Sequence, residues 1–407
     1  MDDSLLDQII YLPPYTWIVS RFYFLIVLVV SLIPAFASSC STSSSDSIQA
    51  PTTALPEVSS TLPLVTTTTI PQRPSVSMAF SGDVLIHSQI WTQAKKNSKG
   101  SGYDFSPMFA RIKPLLESVD LAVCHLEVPI APPGEEPSTF PYYGAPRELI
   151  DAIAGAGYDR CSTASNHSLD KGRRGIDATL KEFDRTGITQ SGMARTPEEI
   201  EPKIITVRGV KVSHLSYTWG FNGIQLPQSE LWRSAQIDPV RIIADAKKAR
   251  AMGAQIVVVS MHWGSEGMTD VTGYQMKNAK AITASGAIDL VVGHHAHVLQ
   301  KIEKINGVWT IFGLGNALSN MPTREAFPPN TQDGMIVKVK LSLTNDDKVK
   351  VDKPGVYPTW VDKNNGKIIR LVKSDLKDTA VSRAVKTQLR ISLARTTRVV
   401  GEFIAVD

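Results

Sequence analysis

Segments typical of strands and helices alternate along most of this chain, and this alternation restricts its fold more than any other feature. Short apolar runs are each followed by a longer amphipathic stretch. The predicted strands are 76–80, 121–124, 158–163, 210–217, 254–260, 288–292 and 307–312, and the predicted helices are 107–118, 146–156, 176–186, 239–252 and 275–285. Such a rhythm predicts an α/β domain with a largely parallel sheet.

The pattern changes after residue 331. A strand is predicted at 335–341, a turn at 345–347 and a basic amphipathic helix at 379–393. The polar face of that helix is most simply explained as a solvated surface above an apolar face packed on the sheet. We therefore expect 331–407 to complete a domain that begins at 75–330, not to form a second one.

The first 74 residues have a different composition. An apolar stretch, 22–37, follows Arg21 and ends in Ala-Ser-Ser-Cys40, and a tract rich in Ser, Thr and Pro follows. We expect 1–40 to be a signal or membrane-anchor segment with Cys40 as its lipidated residue, and 41–74 to be a disordered tether. A retained N-terminal helix and an ordinary secretory signal are the alternatives. All three predict that the domain is exported, and lipid at Cys40 or a retained N-terminal helix would anchor it at the extracytoplasmic face of the cell membrane.

Composition excludes some kinds of partner. The 407 residues carry a net charge of only +4, and no cluster of Lys and Arg is interleaved with aromatic residues, so nucleic acid is not expected as a partner. The three cysteines show no Cys-x-x-Cys spacing, which disfavours a zinc knuckle and a disulfide framework. Cys124 and Cys161 are predicted to be core thiols.

Polar residues follow five of the predicted strands at the point where each strand ends. They are Asp83, then His125 and Glu127, then Asn166 and His167, then His262, and finally His294, His295 and His297. Loops at the carboxyl ends of strands converge over one edge of an α/β sheet, so these side chains are expected to form one site. Seven of the eight histidines lie in or next to these five segments. The eighth, His214, lies in the middle of a predicted strand and is predicted to be a core or edge residue.

The densest part of this pattern is the run Gly-His-His-Ala-His at 293–297. In an extended segment His295 and His297 would point the same way, whereas His294 would turn to the other face. Neutral imidazoles together with Asp, Glu and Asn, and without cysteine, suit one or two divalent ions of the Zn, Mn, Fe or Co type. Two ions bridged by a carboxylate are the arrangement of two-metal hydrolases.

Each residue taken alone has an ordinary alternative. Asp83 could cap a loop, His87 could be a surface histidine, Asn166 could belong to a turn, and Asp170 could stabilise the loop before a helix. A Ser-His-Asp hydrolase is not expected, because no Gly-x-Ser-x-Gly sequence follows a strand. The combined pattern is much more specific than any of its members.

The segments between 76 and 320 resemble the CapA family, the bacterial capsule and poly-γ-glutamate synthesis proteins of the calcineurin-like metallophosphatase superfamily. The matching pieces are Gly82-Asp83 with His87, Leu126-Glu127, Asn166-His167 with Asp170, His262-Trp263-Gly264 with Glu266, Gly293-His294-His295-x-His297, and Leu314-Gly315-Asn316. The chain departs from the family where it has His125-Leu-Glu, Ser165-Asn-His and His-Ala-His. None of these changes removes an expected ligand.

The resemblance implies a metallophosphatase-like β-sandwich flanked by helices (α/β/β/α), here with a C-terminal β-rich extension, and two divalent ions, Mn, Zn or Fe. The ligands it implies are Asp83, His87, Glu127, Asn166, His262, His295 and His297, with Glu127 resembling the bridging carboxylate. His167, supported by Asp170, resembles the catalytic general acid. Residues expected to contact and orient the ligands are His125, Glu266, His294 and Asn316.

Two kinds of function follow from these expectations. The first is an exported, membrane-tethered protein of capsule or poly-γ-glutamate biosynthesis that acts as a metal-dependent hydrolase or transferase on capsule or wall polymer. The second is a non-catalytic subunit of the same fold that binds polymer or supports membrane synthase subunits. A nucleotide or phosphodiester hydrolase follows from the superfamily alone and is a weaker expectation. Because every expected metal ligand is present, the catalytic function is favoured over the non-catalytic one.

Overall fold

Two β-sheets stacked face to face, with helices on their outer sides, make up the folded part of the chain. The computed structural model describes residues 74–322, 328–346 and 348–406. Cys40, the expected signal or anchor (1–40) and nearly all of the expected tether (41–74) lie outside this part of the chain. In the described ranges no helix is long and apolar enough to cross a bilayer.

The strands and helices have the following bounds. The strands are β1 (Ser75–Leu85), β2 (Leu121–Leu126), β3 (Arg160–Ser162), β4 (Thr189–Ser191), β5 (Ile205–Val207), β6 (Val210–Thr218), β7 (Ile256–His262), β8 (Leu290–His294), β9 (Ile302–Ile305), β10 (Val308–Ile311), β11 (Asn316–Ser319), β12 (Asp333–Leu343), β13 (Val349–Val351), β14 (Gly355–Asp362) and β15 (Ile368–Leu371). The helices are α1 (Ser88–Asn97), α2 (Ser106–Phe109), α3 (Lys113–Leu116), α4 (Glu148–Gly155), α5 (Gly172–Thr186), α6 (Pro239–Ala251), α7 (Gly273–Thr283), α8 (Val372–Lys377) and α9 (Arg383–Val400).

Each sheet has a parallel centre and antiparallel edges. The first sheet has the order β15-β14-β12-β1-β2-β3-β4, with β11 also paired to β1 and β13 to β12, and the second has the order β5-β6-β7-β8-β10-β9. The pairs from β1 to β4 and from β6 through β8 to β10 are parallel. The α/β/β/α class is therefore confirmed, but the predicted largely parallel sheet is two mixed sheets.

Three apolar layers hold these elements together. Met78, Phe80 and Val123 of the first sheet pack against Val258 and Val292 of the second, and all five are at most 2% exposed. A second layer lies between the first sheet and helices that include α1, α4 and α5, and a third between the second sheet and α6 and α7. Burial of apolar surface on both faces explains why the central strands read as continuous apolar runs.

Some predicted elements differ from the observed ones. The helix predicted at 107–118 is two short helices, α2 and α3, each with a proline in its first turn, because a proline cannot donate the hydrogen bond that a continuous helix needs. The C-terminal helix runs further than predicted, to Val400. Segment 331–407 supplies β12, which pairs with β1 along its length from Ser75 to Ser81.

The prediction that Cys124 and Cys161 are free core thiols was wrong. They are buried, as expected, but they form a disulfide between the neighbouring parallel strands β2 and β3, with Cα atoms 4.5 Å apart. Residues in register on adjacent strands present side chains to the same face, so the two sulfurs meet there. Their separation of 37 residues hides this pairing in the sequence.

Candidate metal centre

The end of β1 places Asp83 at the edge of the first sheet. Up to Ser81 the strand pairs with β12, and from Asp83 onward it pairs with β11 instead. The Asp83 amide donates to the carbonyl of Gly315, at 2.9 Å. A side chain at position 82 would be excluded, since a Cβ there would lie 2.1 Å from the Gly315 oxygen. Gly82 thus allows the close approach that fixes Asp83.

The strands β7 and β8 bring in the histidines from the second sheet. His262 and His294 end these strands in register with each other. Gly293 lies so close to the Phe312 carbonyl that a Cβ there would be 1.9 Å from its oxygen. Glycine at this position lets β8 deliver its histidines directly above the neighbouring strand.

The segment after β8 is not extended; His295 and His297 converge as expected, but the expectation that His294 would turn to the other face was wrong. His295 and His297 have φ angles of 86° and 56°, in the left-handed region. A non-glycine residue there costs about 1–2 kcal/mol, so the surrounding structure must enforce the turn. His294 does not point away: its Nδ1 lies 2.9 Å from Asp83 Oδ1. The turn therefore brings all three histidines to one site.

Four groups of side chains in the described part of the chain could hold a metal ion, each with its potential ligand atoms within 4.8 Å of one another. The groups are Asp83 with His125 and His294, Glu127 with His262 and His295, Glu266 with His295 and His297, and Asp83 with Glu127 and His297. Because members are shared, the groups form one continuous centre.

Asp83 is the most strongly hydrogen-bonded carboxylate of this centre. Its oxygens lie 2.9 Å from His294 Nδ1 and 3.2 Å from His297 Nδ1, and Oδ2 accepts from the His295 amide at 3.1 Å. Burial by itself would raise the pKa of Asp83, but the hydrogen bonds from His294 and His297 hold it well below the usual range. Asp83 is therefore ionised.

Glu127 has the opposite environment. It is 0% exposed, and within the described ranges neither carboxylate oxygen has a hydrogen-bond partner. The nearest imidazole nitrogens, His297 Nε2 and His262 Nε2, are 3.4 and 3.8 Å from Oε1. Burial raises the pKa of Glu127 well above its ordinary value. His295 Nδ1 is likewise buried and without a partner in that part of the chain. Orphaned atoms of these two kinds fit a cation between them.

A chain of hydrogen bonds crosses the centre from one sheet to the other. His125 Nδ1 lies 2.8 Å from Ser162 Oγ, His125 Nε2 lies 2.9 Å from His262 Nδ1, and His262 Nε2 lies 2.8 Å from Asn166 Oδ1. Burial lowers the pKa of His125 and His262 well below 6.5, and that of His295 to about 3. These imidazoles are therefore neutral, which is the form that binds metals.

His297 differs from the other histidines of the centre. Burial would lower its pKa, but the charges of Glu127 and Asp83 raise it to about 10. Its Nδ1 also lies 3.0 Å from Asn316 Oδ1. In the protein alone, His297 therefore keeps a proton beside the two carboxylates, 3.2 Å from Asp83 and 3.4 Å from Glu127.

His167 and Asp170 form a pair beside these groups. His167 Nδ1 lies 2.7 Å from Asp170 Oδ2, and the same oxygen accepts from the Tyr143 amide at 2.7 Å. The Tyr143 ring packs edge-on against the His167 ring, with centroids 4.7 Å apart. Asp170 thus fixes which ring nitrogen faces it and leaves Nε2 for another partner.

The remaining predicted site residues lie around the centre in different ways. His87 contacts the Leu85 carbonyl and the edge of Tyr143, and burial lowers its pKa to about 4, but it belongs to none of the four groups. Glu266 is exposed but belongs to the group with His295 and His297. His125 and His294, expected only to support the ligands, form a group with Asp83 and could themselves bind a metal. The division of these residues into ligands and supporting residues stays a prediction.

Sequence reasoning missed four residues that contact the centre. Tyr143 and Ser162 gave no signal, since neither belongs to a motif. Trp219 packs on His295 with centroids 5.6 Å apart, and Asn222 contacts both Asn166 and His167. Trp219 and Asn222 follow the end of β6, so the rule that site residues follow strands could have identified them. His214 is a core residue, as predicted, bonded to Arg160 and Ser260.

Fold and site together define a two-sheet α/β protein with a buried centre of His, Asp, Glu and Asn that could hold a metal. The family model "Bacterial capsule synthesis protein PGA_cap" matches residues 77–321, and the chain belongs to this family. The resemblance seen in the sequence is thereby confirmed.

Relatives with known names agree with this assignment. The chain is 27% identical to the capsule biosynthesis protein CapA of Bacillus anthracis over 251 residues, which cover 59% of each chain. It is 26% identical to the PGA biosynthesis protein CapA of Bacillus subtilis (strain 168) over 314 residues, covering 74% of this chain and 78% of the relative. Among solved structures, the calcineurin-like phosphoesterase YfkN from Bacillus subtilis matches with 15% identity and a TM-score of 0.41, over 80% of this chain and 99% of that one.

Proposed function

We propose that this chain is a metal-dependent hydrolase, or a related transferase, that acts on a surface polymer of the poly-γ-glutamate class. The observation that supports this most directly is Glu127, a carboxylate that is 0% exposed and has no hydrogen-bond partner among the described residues. A buried carboxylate that served only the fold would have donors around it. Here its neighbours are imidazole nitrogens of the same centre.

The residues proposed to hold the metal are those implied by the resemblance, and most of them meet in the four groups. Asp83, Glu127, His262, His295 and His297 each supply an oxygen or nitrogen atom to at least one of these groups, and within a group the atoms lie at most 4.8 Å apart. Asn166 adds its Oδ1, which lies 2.8 Å from His262 Nε2, and His87 belongs to none of the four groups. A donor set of this kind without sulfur suits Mn, Zn or Fe. When bound, such ions supply Lewis acidity toward an oxygen of the scissile group.

The proton in this proposal is moved by His167. Asp170 accepts from Nδ1 at 2.7 Å, so Nε2 carries the proton that can be transferred when the ring is charged. Tyr143 supports the pair from both sides, because its amide donates to Asp170 and its ring packs on the imidazole. These contacts support His167 as the residue that would protonate a leaving oxygen.

The Cys124–Cys161 disulfide supports the export part of the proposal. Disulfides persist in oxidising compartments and are rare in the cytosol. The pair lies in β2 and β3, directly before His125 and beside Ser162. We propose that the chain works outside the cytoplasmic membrane, held there by lipid at Cys40 or by an N-terminal helix.

The test compares two variants in a bacterium whose polymer production requires this chain. We expect His295→Ala and His167→Ala to abolish polymer production or turnover while the protein remains folded and membrane-bound, and exposed Lys340→Gln, on β12, to behave as wild type. Unchanged production in His295→Ala, with loss only when the whole domain is deleted, would overturn the catalytic proposal. That result would instead indicate the non-catalytic, polymer-binding or synthase-supporting subunit.

A further inference from the structure

Two lysines on the turn between β14 and β15 reach toward the candidate metal centre. Lys363 Nζ donates to the Met321 carbonyl, and Lys367 Nζ donates to Asn320 Oδ1 at 2.8 Å and to the Lys363 carbonyl at 2.5 Å. Asn320 and Met321 directly follow β11, the strand that pairs with β1 from Asp83 to Leu85. The lysines therefore lie at the same sheet edge as Asp83.

His87 connects this turn to the centre. The Asn320 amide lies 3.3 Å from His87 Nδ1, the His87 ring packs edge-on against Tyr143, and Tyr143 packs on His167. Burial is the main reason that the pKa of His87 is lowered, and the positive charges of His297 and Lys363 lower it further. His87 thus lies within electrostatic reach of both the centre and the lysine turn.

In the described part of the chain neither ammonium group has a carboxylate at ion-pair distance. Among the described residues, no carboxylate forms an ion pair with Lys363 or Lys367; their hydrogen-bond acceptors there are carbonyl and amide oxygens. Asp362, in the same turn, pairs with Arg370 at 2.7 Å and accepts from the Asn365 amide at 3.1 Å. Burial, helped by the charge of Lys367, lowers the pKa of Lys363 to about 8. Lys363 is therefore still mostly protonated at neutral pH.

The turn also holds an unfavourable backbone conformation. Gly366 has a φ of 78°, which costs a glycine nothing, but Lys367 follows it with a φ of 57°. A side chain is disfavoured in the left-handed region, because its Cβ comes too close to the following carbonyl oxygen. This conformation, together with the Asp362 hydrogen bonds, directs Lys367 toward Asn320 instead of solvent.

We propose that Lys363 and Lys367 form a carboxylate-binding subsite, which holds one acidic group of a polymer chain while a neighbouring part of that chain lies at the metal centre. The chemical class of the ligand rests on the proposed function. The charges that act on Lys367 are those of Asp362, in the same turn, and of Lys96 on α1, and Lys96 adds a third positive charge at this edge. Neighbouring ammonium groups that form no ion pair with a carboxylate among the described residues favour an anion that carries repeated charges.

The test measures binding of a fluorescently labelled oligomer of γ-linked glutamate to the full chain by anisotropy, at low and at physiological salt. Removing both charges in Lys363→Gln/Lys367→Gln should weaken binding at low salt by about tenfold and reduce its salt dependence, since each exposed charge pair contributes up to about 1 kcal/mol. The matched control Lys340→Gln should bind like wild type.

Further arms of the same assay identify the ligand and separate the two proposals. An oligomer with amidated side groups should bind equally weakly to wild type and double variant, and inorganic phosphate should compete no better than chloride at equal ionic strength. Equal binding of the acidic oligomer to wild type and double variant would overturn the subsite, as would an equal loss in Lys340→Gln or specific displacement by phosphate. Binding is measured with chelator present, so a failure of the hydrolase proposal leaves this result interpretable.

Discussion

Replacing Glu127 by Gln should separate a metal ligand from a residue that stabilises the fold. Within the described residues its carboxylate oxygens accept no hydrogen bond, and His297, whose Nε2 is 3.4 Å from Oε1, would keep its ion pair with Asp83, 3.2 Å from Nδ1, in the variant. We therefore expect the metal-free variant to unfold within about 1 kcal/mol of the metal-free wild type. An exposed surface substitution would have a similarly small effect.

With metal present the two proteins should differ. At a free metal concentration about 1000 times the dissociation constant, binding stabilises the wild type by about 4 kcal/mol. Loss of a ligand should weaken affinity at least about 100-fold, since changes to residues that merely support ligands already cost 10- to 100-fold. At the same metal concentration the variant would then gain only about 1.4 kcal/mol. The expected difference is thus nearly 3 kcal/mol.

Urea unfolding with chelator and with added Mn or Zn measures both quantities. Glu182→Gln is the matched control, because Glu182 is also a buried glutamate but pairs with Arg185 at 2.6 Å on α5. Its metal-dependent gain should equal that of the wild type. A loss of 3 kcal/mol or more in metal-free Glu127→Gln, or an undiminished gain with metal, would refute the argument that this carboxylate is present to hold a cation.

Three further predictions follow from the described contacts. Metal-free protein should be most stable near pH 6.5. Below that pH the unfolded chain binds protons that the buried histidines with lowered pKa values (His87, His125, His214, His262, His295) do not bind, so stability falls by up to about 1.4 kcal/mol per pH unit for each net proton. Above it the unfolded chain releases a proton that folded His297, with a pKa of about 10, retains, and the raised pKa of Glu127 acts in the same direction, so stability falls again. A stability that rises steadily with decreasing pH in urea titrations would contradict this. Reducing the disulfide, or replacing both cysteines in Cys124→Ala/Cys161→Ala, should lower the free energy of unfolding by about 3–4 kcal/mol, the loop-closure estimate for a separation of 37 residues. An unchanged free energy of unfolding on reduction would contradict a formed disulfide. Asp170→Asn should lower turnover at least about tenfold and alter its pH profile, because His167 loses its orienting acceptor, while metal content measured in parallel stays at the wild-type value.

The parts of the fold that the sequence predicts are those set by local patterns. The buried strands β2, β7 and β8 were predicted within a few residues, because burial on both faces leaves a continuous apolar run. The division into two sheets was not visible in the alternation, since it depends on β12 returning to pair with β1 over a long sequence distance. Short edge strands such as β4 and β5 carry too few residues for a pattern.

The candidate site likewise has parts that the sequence predicts and parts that depend on the folded structure. That Asp83, Glu127, His262 and His295 would meet could be predicted, because each follows a strand and strand ends converge. The direction of His294 could not, because it depends on the left-handed turn at His295, which overrides the expected alternation. Tyr143, which supports both His87 and His167, lies in a loop without any motif and becomes visible only through its contacts.

Metal content of the full chain tests the central claim most directly. The chain is purified without a histidine tag or chelator and measured by inductively coupled plasma mass spectrometry beside His295→Ala/His297→Ala, with circular dichroism to show that both are folded. We predict about two equivalents of Mn, Zn or Fe in the wild type and a loss of metal in the double variant. A folded wild type that carries no metal, and takes up none from added Mn or Zn, would contradict the account.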